Sequence, residues 1–200
     1  MHTTITLVRH GETDWNATRR WQGIAPVPLN ENGIQQATET ASHLTDAGIT
    51  KIVASDLSRA YHTAQIIAER LHLPIDIDPR WREVDVGRWQ GLAHDEILAW
   101  DAAAFAVFTQ ADYLERAFPD GERNRDHIAR TQAALDDLIT RYPGEHVLVA
   151  THGGSIRAAI FHLCGQYIDK APNCSITQAH YAGGAWDVAC IAQPAASLRA

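Results

Sequence analysis

Two hundred residues, 46% hydrophobic and 20% charged, suit one globular unit with a substantial core. A formal net charge of −7 argues against a general nucleic-acid or anionic-membrane surface, so any bound anion must be held by a local basic cluster. Cys164, Cys174 and Cys190 show no CxxC spacing, which speaks against a disulfide scaffold or zinc site and fits a reducing compartment.

In chain order, MHTTITLVRHGE lacks the basic start and long apolar core of a signal peptide. No apolar run approaches the roughly 20 residues that span a bilayer, so a cytoplasmic protein is expected. Thr3 to Val8 reads as a strand. Asn30 caps a helix over 31–46 whose inward face is Ile34, Ala37, Ala41 and Leu44. Lys51 to Ala54 is a second strand, followed by a helix to Leu71 capped by Ser55 or Asp56, with Ile66, Ile67 and Leu71 inward. Ile75 to Ile77 is a short third strand. Residues 92–122 carry short alanine-rich and aromatic helical stretches and read as an insertion over one end of a sheet. A helix over Arg125 to Tyr142 places Ile128, Leu135, Leu138 and Ile139 in one stripe, and Pro143-Gly144 stops it. His146 to Ala150 is the clearest buried strand; Ser155 to Leu163 is helical, and Ile176–Tyr181 with Trp186–Ile191 forms a hairpin turning at Gly183-Gly184.

Strands alternating with helices predict an α/β fold, a three-layer sandwich with a mostly parallel sheet and helices on both faces. No repeat or linker divides residues 1–200, so a single domain is expected. The hairpin leaves an edge on which a second copy could pair as a homodimer.

Ligands of open α/β sheets bind beyond the carboxyl ends of the strands. The first strand exits into Arg9-His10-Gly11, the second into a helix bearing Arg59, and the fourth into Thr151-His152-Gly153-Gly154. Parallel strands bring these exits to one side. Two guanidiniums can clamp a phosphate, one neutral imidazole can attack phosphorus, and a second can bond the equatorial oxygens. Glycine beside each histidine would let backbone approach the oxyanion. Glu83, after the third strand, is the candidate general acid, because a carboxyl beside a phosphate has its pKa raised. A metal site of His10, His152 and Glu83 has no ligand spacing to support it, and the arginines would repel a cation. Taken singly, each of these residues reads more simply as a turn glycine or a solvated charge; their joint placement carries the inference.

The strings LVRHGETDWN, RRWQG, PLNENGIQQA, VASDLSRAYHTAQ, WREVDVGRWQGL, PDGE and ATHGG, in that order, resemble the histidine phosphatase superfamily, and more narrowly its phosphoglycerate mutase-like branch. The likeness runs from about residue 5 to residue 157. It implies His10 as the nucleophile that becomes phosphohistidine, Arg9, Arg59 and His152 as the phosphate pocket with Asn16 and the Gly153 backbone, and Glu83 as proton donor. Gln22 and Gly23 match a segment that borders the substrate. It implies no metal and no cofactor, although cofactor-dependent mutases need a bisphosphorylated primer. Pro26 stands where many relatives carry an acidic residue, and Arg123 where many carry serine; both concern the pocket rim and hence the substrate.

The short chain and the EVDVGRWQG sequence after the donor look like the small phosphatase branch. They favour a histidine acid phosphatase-type phosphomonoester hydrolase acting on a small phosphorylated metabolite. Mutase-type transfer is the alternative, and a non-catalytic phosphate-binding regulator a third. Three sets of residues beside the motifs stay open. Trp15, Trp21, Trp89 and Trp100 either line the substrate wall or pack the insertion. His62, His94 and His127 are candidate extra acid–base groups, against which their helix-surface positions read them as exposed histidines. Arg19, Arg20 and Arg88 read as solvated, or as contacts to a second anionic group.

Overall fold

A computed structural model of the chain describes residues 2–197. Its β-branched, apolar run at the N-terminus forms β1 (His2–Arg9), which alternates its side chains between two covered faces. β2 (Lys51–Ala54), β3 (Ile75–Ile77) and β4 (His146–Thr151) run parallel to it, and β5 (Ile176–Ala182) and β6 (Ala185–Gln193) add the antiparallel hairpin. The sheet order is β3-β2-β4-β1-β5-β6, so β1 and β4 are central and adjacent, with Arg9 paired to Thr151 in register.

Ile5, Leu7, Val53, Val147 and Val149 face one layer, where α6 (Asn124–Arg141) and α7 (Gly153–Cys164) supply Leu135, Leu138, Ile156 and Ile160. Val8, Ile52, Ala54, Leu148 and Ala150 face the other, closed by Ala41 and Leu44 of the α2 segment (helix Glu31–His43) and by Ala64 and Ile67 of α3 (Ser58–Leu71). The mostly parallel α/β sheet with helices on both faces is therefore present as expected. Asn30 caps α2, accepting from the Gly33 N–H at 2.8 Å. Between β1 and α2 lies one short helical turn, α1 (Asp14–Ala17), closed by a Thr13/Asn16 capping box.

Several local expectations are corrected. Ile34 is 40% exposed, because α2 turns Ala37, Ala41 and Leu44, not Ile34, onto the sheet. Neither Ser55 nor Asp56 caps α3; its N-cap is Leu57, without a side-chain bond, and the two polar residues are engaged elsewhere. The buried stripe of α6 is His127, Thr131, Ala134, Leu135 and Leu138, one position round from the expected one, and Ile128 and Ile139 are only half-buried. His127 is thus 4% exposed and not a surface residue.

The segment at about 92–122 folds as α4 (His94–Trp100) and α5 (Ala102–Gln110) with a further turn, Tyr113–Glu115. Its own small core joins Ile97, Phe108 and Phe118 to Val84, Val86 and Trp89. No helix among the described residues is long and apolar enough to cross a membrane.

Candidate active site

β1 ends on Arg9, and the next residue, His10, is 2% exposed at the carboxyl edge of the sheet. Its Nδ1 lies 2.7 Å from the Gly11 carbonyl, which can only accept, so Nδ1 carries the ring proton and Nε2 carries the lone pair. Arg59, fully buried in the first turn of α3, brings Nε to 3.2 Å from that Nε2. The other guanidinium nitrogens donate to the Ala25 and Gly23 carbonyls at 2.8 and 2.7 Å, so the loop beside Pro26 aims the arginine. Burial, with the Arg59 and Arg9 charges, holds the His10 pKa well below the usual histidine value. Burial also lowers Arg59 to about 10, which leaves it charged at neutral pH.

His152, fully buried at the N-cap of α7, stands with its ring centroid 5.3 Å from that of His10. Its Nε2 is 2.9 Å from Ser55 Oγ, and its buried Nδ1 has no partner. Burial and the neighbouring Arg59 hold it, too, well below the usual value. Arg9 donates to the Ala171 carbonyl at 2.6 Å and keeps a buried Nε unpaired. The Oδ1 of Asn16 is taken by Thr13 and Asn173, which leaves its amide nitrogen as the free donor end.

Glu83 follows β3 and reaches across to α7, where its carboxylate accepts from the Gly154 N–H at 3.0 Å and from its own neighbour Val84 N–H at 2.9 Å. Burial acts to raise its pKa; the field of His127, the two N–H groups and Arg157 outweigh it and hold the carboxyl below the usual glutamate value. A cleft of about 330 Å³ is bounded by Arg9, His10, Asn16, Gln22, Gly23, Arg59 and Glu83. His152, fully buried beside His10, is not itself among the residues that bound the cleft, and Gly153, at the first helical position of α7, has an N–H with no intrahelical acceptor.

Gly11 acts differently from expectation, and Gly154 has a use that the sequence did not show. A Cβ on Gly11 would lie 2.9 Å from the Gly33 carbonyl carbon, so Gly11 admits the backbone of α2 and not an oxyanion. A Cβ on Gly154 would strike the Glu83 carboxylate, so that glycine makes room for the candidate acid.

Trp15 and Trp21 line the cleft with Phe118; Trp89 is fully buried in the insertion core, and Trp100, 62% exposed, does neither. Arg20 is spent on Glu96 and Arg88 on Asp101, whereas Arg19 lines the cleft without an acidic partner among the described residues. His94 is exposed and His62 half-buried, away from the cleft wall.

Sequence reasoning missed Ser55, Arg157 and Asn173. Ser55, the first residue past β2, carried the same strand-end signal as His10 and was read only as a cap. Arg157 lies one turn into α7 and also lines the cleft. Asn173 donates to the His10 carbonyl at 3.0 Å from 163 residues away, a contact with no local signal.

A model of the histidine phosphatase superfamily (branch 1) matches residues 5–194. The chain belongs to the histidine phosphatase superfamily. The Enterobacter sp. protein named probable phosphoglycerate mutase GpmB is 36% identical over 187 residues, spanning 91% of this chain and 86% of its own. The Bacillus subtilis uncharacterized phosphatase PhoE is 35% identical over 163 residues, 82% of this chain and 78% of its own. Among solved structures, Bacillus stearothermophilus YhfR superposes with a TM-score of 0.88 at 35% identity, covering 96% of this chain and 97% of that one. A mycobacterial glucosyl-3-phosphoglycerate phosphatase, solved with VO3, gives a TM-score of 0.85 at 31% identity over 95% and 98% of the two chains. Superfamily relatives are named phosphatases and mutases alike, so the chemistry in common is phosphoryl transfer.

Three deeply buried histidines tie this site to stability. Burial lowers the His127 pKa to about 4, and His10 and His152 are also held below the unfolded value of 6.5. The stability these neutral rings contribute is complete above pH 6.5. Below it the unfolded chain binds protons that the folded chain refuses, so stability falls as pH drops from 6.5 towards 4. The urea midpoint at pH 5 is expected well below that at pH 7.5; equal midpoints would show that the rings are protonated in the fold.

Proposed function

We propose that this chain is a phosphomonoesterase of one domain that works through phosphohistidine on a small phosphorylated metabolite. The observation that carries the reading is the tautomer of His10: Nδ1–H is committed to Gly11, so the unprotonated Nε2, beside the Arg59 guanidinium, is the nucleophile. Arg9 and Arg59 neutralise the phosphoryl oxygens, helped by the Asn16 amide and the Gly153 N–H. When Ser55 donates its hydroxyl proton to His152 Nε2, the ring proton sits on Nδ1, the unpartnered atom, which then donates to an equatorial oxygen.

Neutral His10 attacks phosphorus, the ester O–P bond breaks, and Glu83 gives its proton to the departing alkoxide. Water then attacks the phosphohistidine, Glu83 takes the proton back, and inorganic phosphate leaves. Its own surroundings keep Glu83 ionised, so the rise in proton affinity that the acid role needs comes from the incoming phosphate dianion.

Hydrolysis is favoured over mutase transfer because a mutase must hold a bisphosphorylated intermediate away from water. Here the inserted helices α4 and α5 have only seven and nine residues, and none of these lines the cleft. Arg19 and Arg157 line the cleft without acidic partners among the described residues, and Trp15, Trp21 and Phe118 give it an aromatic wall. These favour an ester whose alcohol carries a second anionic group.

Inorganic phosphate release is expected from p-nitrophenyl phosphate and from phosphoglycerates without added bisphosphate. Replacing Arg157 by methionine should lower kcat/KM for the phosphoglycerates about tenfold more than for p-nitrophenyl phosphate. Interconversion of 2- and 3-phosphoglycerate that depends on a bisphosphate primer, with little phosphate released, would overturn the hydrolase reading.

A further inference from the structure

Residues 80–83, the segment that delivers Glu83, lie in a short helical turn and loop and not in the sheet ladder. Their carbonyls need partners from outside the sheet. Side chains supply all four. The Trp81 carbonyl accepts from Thr151 Oγ1 at 2.8 Å, and the Arg82 carbonyl from Ser155 Oγ at 2.8 Å. The rest of the work falls to one residue of α6. Arg130 Nη1 donates to the carbonyls of Arg80 at 2.8 Å and Arg82 at 2.7 Å, and Nη2 donates to the carbonyl of Glu83 itself at 2.9 Å.

The remaining N–H groups of the same guanidinium are directed at Glu122. Nε lies 2.7 Å from Oε1 and Nη2 lies 2.9 Å from Oε2, a two-pronged ion pair in which both side chains are mostly covered, at 24% and 18% exposure. All five guanidinium N–H bonds are thereby used, three on the donor's backbone and two on an anion that fixes the plane of the fork. Glu122 Oε2 also accepts from the Asp85 N–H at 3.3 Å, so the carboxylate grips the far side of the same loop. His127, one turn earlier on α6, is bonded to Ser155 Oγ at 3.1 Å. Ser155 donates its hydroxyl hydrogen bond to the Arg82 carbonyl, so His127 is the donor to Ser155 Oγ.

We propose that Arg130, oriented by Glu122, is the positioning residue of the proton donor: it holds the backbone of residues 80–83 so that the Glu83 carboxyl meets the ester oxygen. The proposal rests on Glu83 being the acid. Lysine cannot replace the arginine, because one ammonium has three donors and no planar fork to satisfy three carbonyls and a carboxylate together.

The test compares two esters in folded variants. A loss confined to general-acid catalysis affects an alkyl phosphate, whose alkoxide must be protonated as it departs. It spares p-nitrophenyl phosphate, whose phenolate leaves without a proton. Arg130→Lys is expected to reduce kcat/KM for glycerol 2-phosphate by roughly tenfold to a hundredfold and that for p-nitrophenyl phosphate by less than about threefold. Glu122→Gln leaves the guanidinium and its carbonyl bonds in place, serves if Arg130→Lys does not fold, and is expected to show the same selectivity at smaller size. Equal losses on the two esters in a folded variant would overturn the positioning role, since a merely structural defect does not sense the leaving group. Absence of turnover of both esters by the unaltered protein would instead overturn the phosphatase reading.

Discussion

Replacing His10 by alanine is expected to lower phosphate release by about 10⁴-fold or more, roughly 5 kcal/mol of barrier, on p-nitrophenyl and alkyl phosphates alike. The loss does not depend on the leaving group because the bond to phosphorus can no longer form. The His10 cavity sits beside the Arg59 guanidinium, so phosphate affinity should survive better than turnover. Rapid quench in alkali, where an N–P bond persists, should trap phosphate on the unaltered protein and none on the variant. Label that survives His10→Ala would sink the nucleophile assignment, and so would a loss below about a hundredfold.

His152→Ala is expected to lower kcat by about 10²- to 10³-fold with a smaller change in KM. The ring is fully buried and its Nε2 is already engaged by Ser55, so its other nitrogen is preset before the ester arrives. A donor fixed in this way stabilises the charge spread over the equatorial oxygens without reorganising. Ser55→Ala should show a milder loss in the same direction, because the ring remains while its tautomer is freed. A kcat within about tenfold of the unaltered protein for His152→Ala would mean that the phosphate pocket is built from other groups.

These two residues were legible because their positions follow from a local rule. An apolar run of strand length ends, and the residues after it stand at the carboxyl edge of a parallel sheet. Arg9, His10, Arg59 and His152 all obey it, and the register of Arg9 against Thr151 brings the two histidine-bearing exits side by side. Glu83 was reached as a candidate by elimination: the candidate nucleophile and clamp lacked a proton donor. Its surroundings in the empty site were not legible, since Gly154 offers an N–H and no side chain, and the space that a Cβ would take there is where the carboxylate sits.

Helix faces were less legible. On α6 the isoleucines suggested one stripe, but the helix is rotated to bury His127 and Thr131 against α7 and the turn bearing Trp81. A histidine at that position looks like a surface residue until its Ser155 partner, 28 residues on, is known. The tryptophans show the same limit: identical side chains line the cleft, fill the insertion core or meet solvent according to which turn carries them.

The sequence by itself determined the order of strands and helices, the parallel α/β class and the residues that gather at the strand ends. Each of these depends on periodicity and spacing within one segment. Only the tertiary structure decided the direction in which those residues act. It chose which nitrogen of His10 is unprotonated, which carbonyls hold Arg59, and which guanidinium clamps the loop of Glu83. A hydrogen bond is fixed by a few tenths of an ångström and by angle, and its two ends here lie as far apart in the chain as Asn173 and His10. Spacing along one segment carries no record of such a pairing until the sheet has brought the two together.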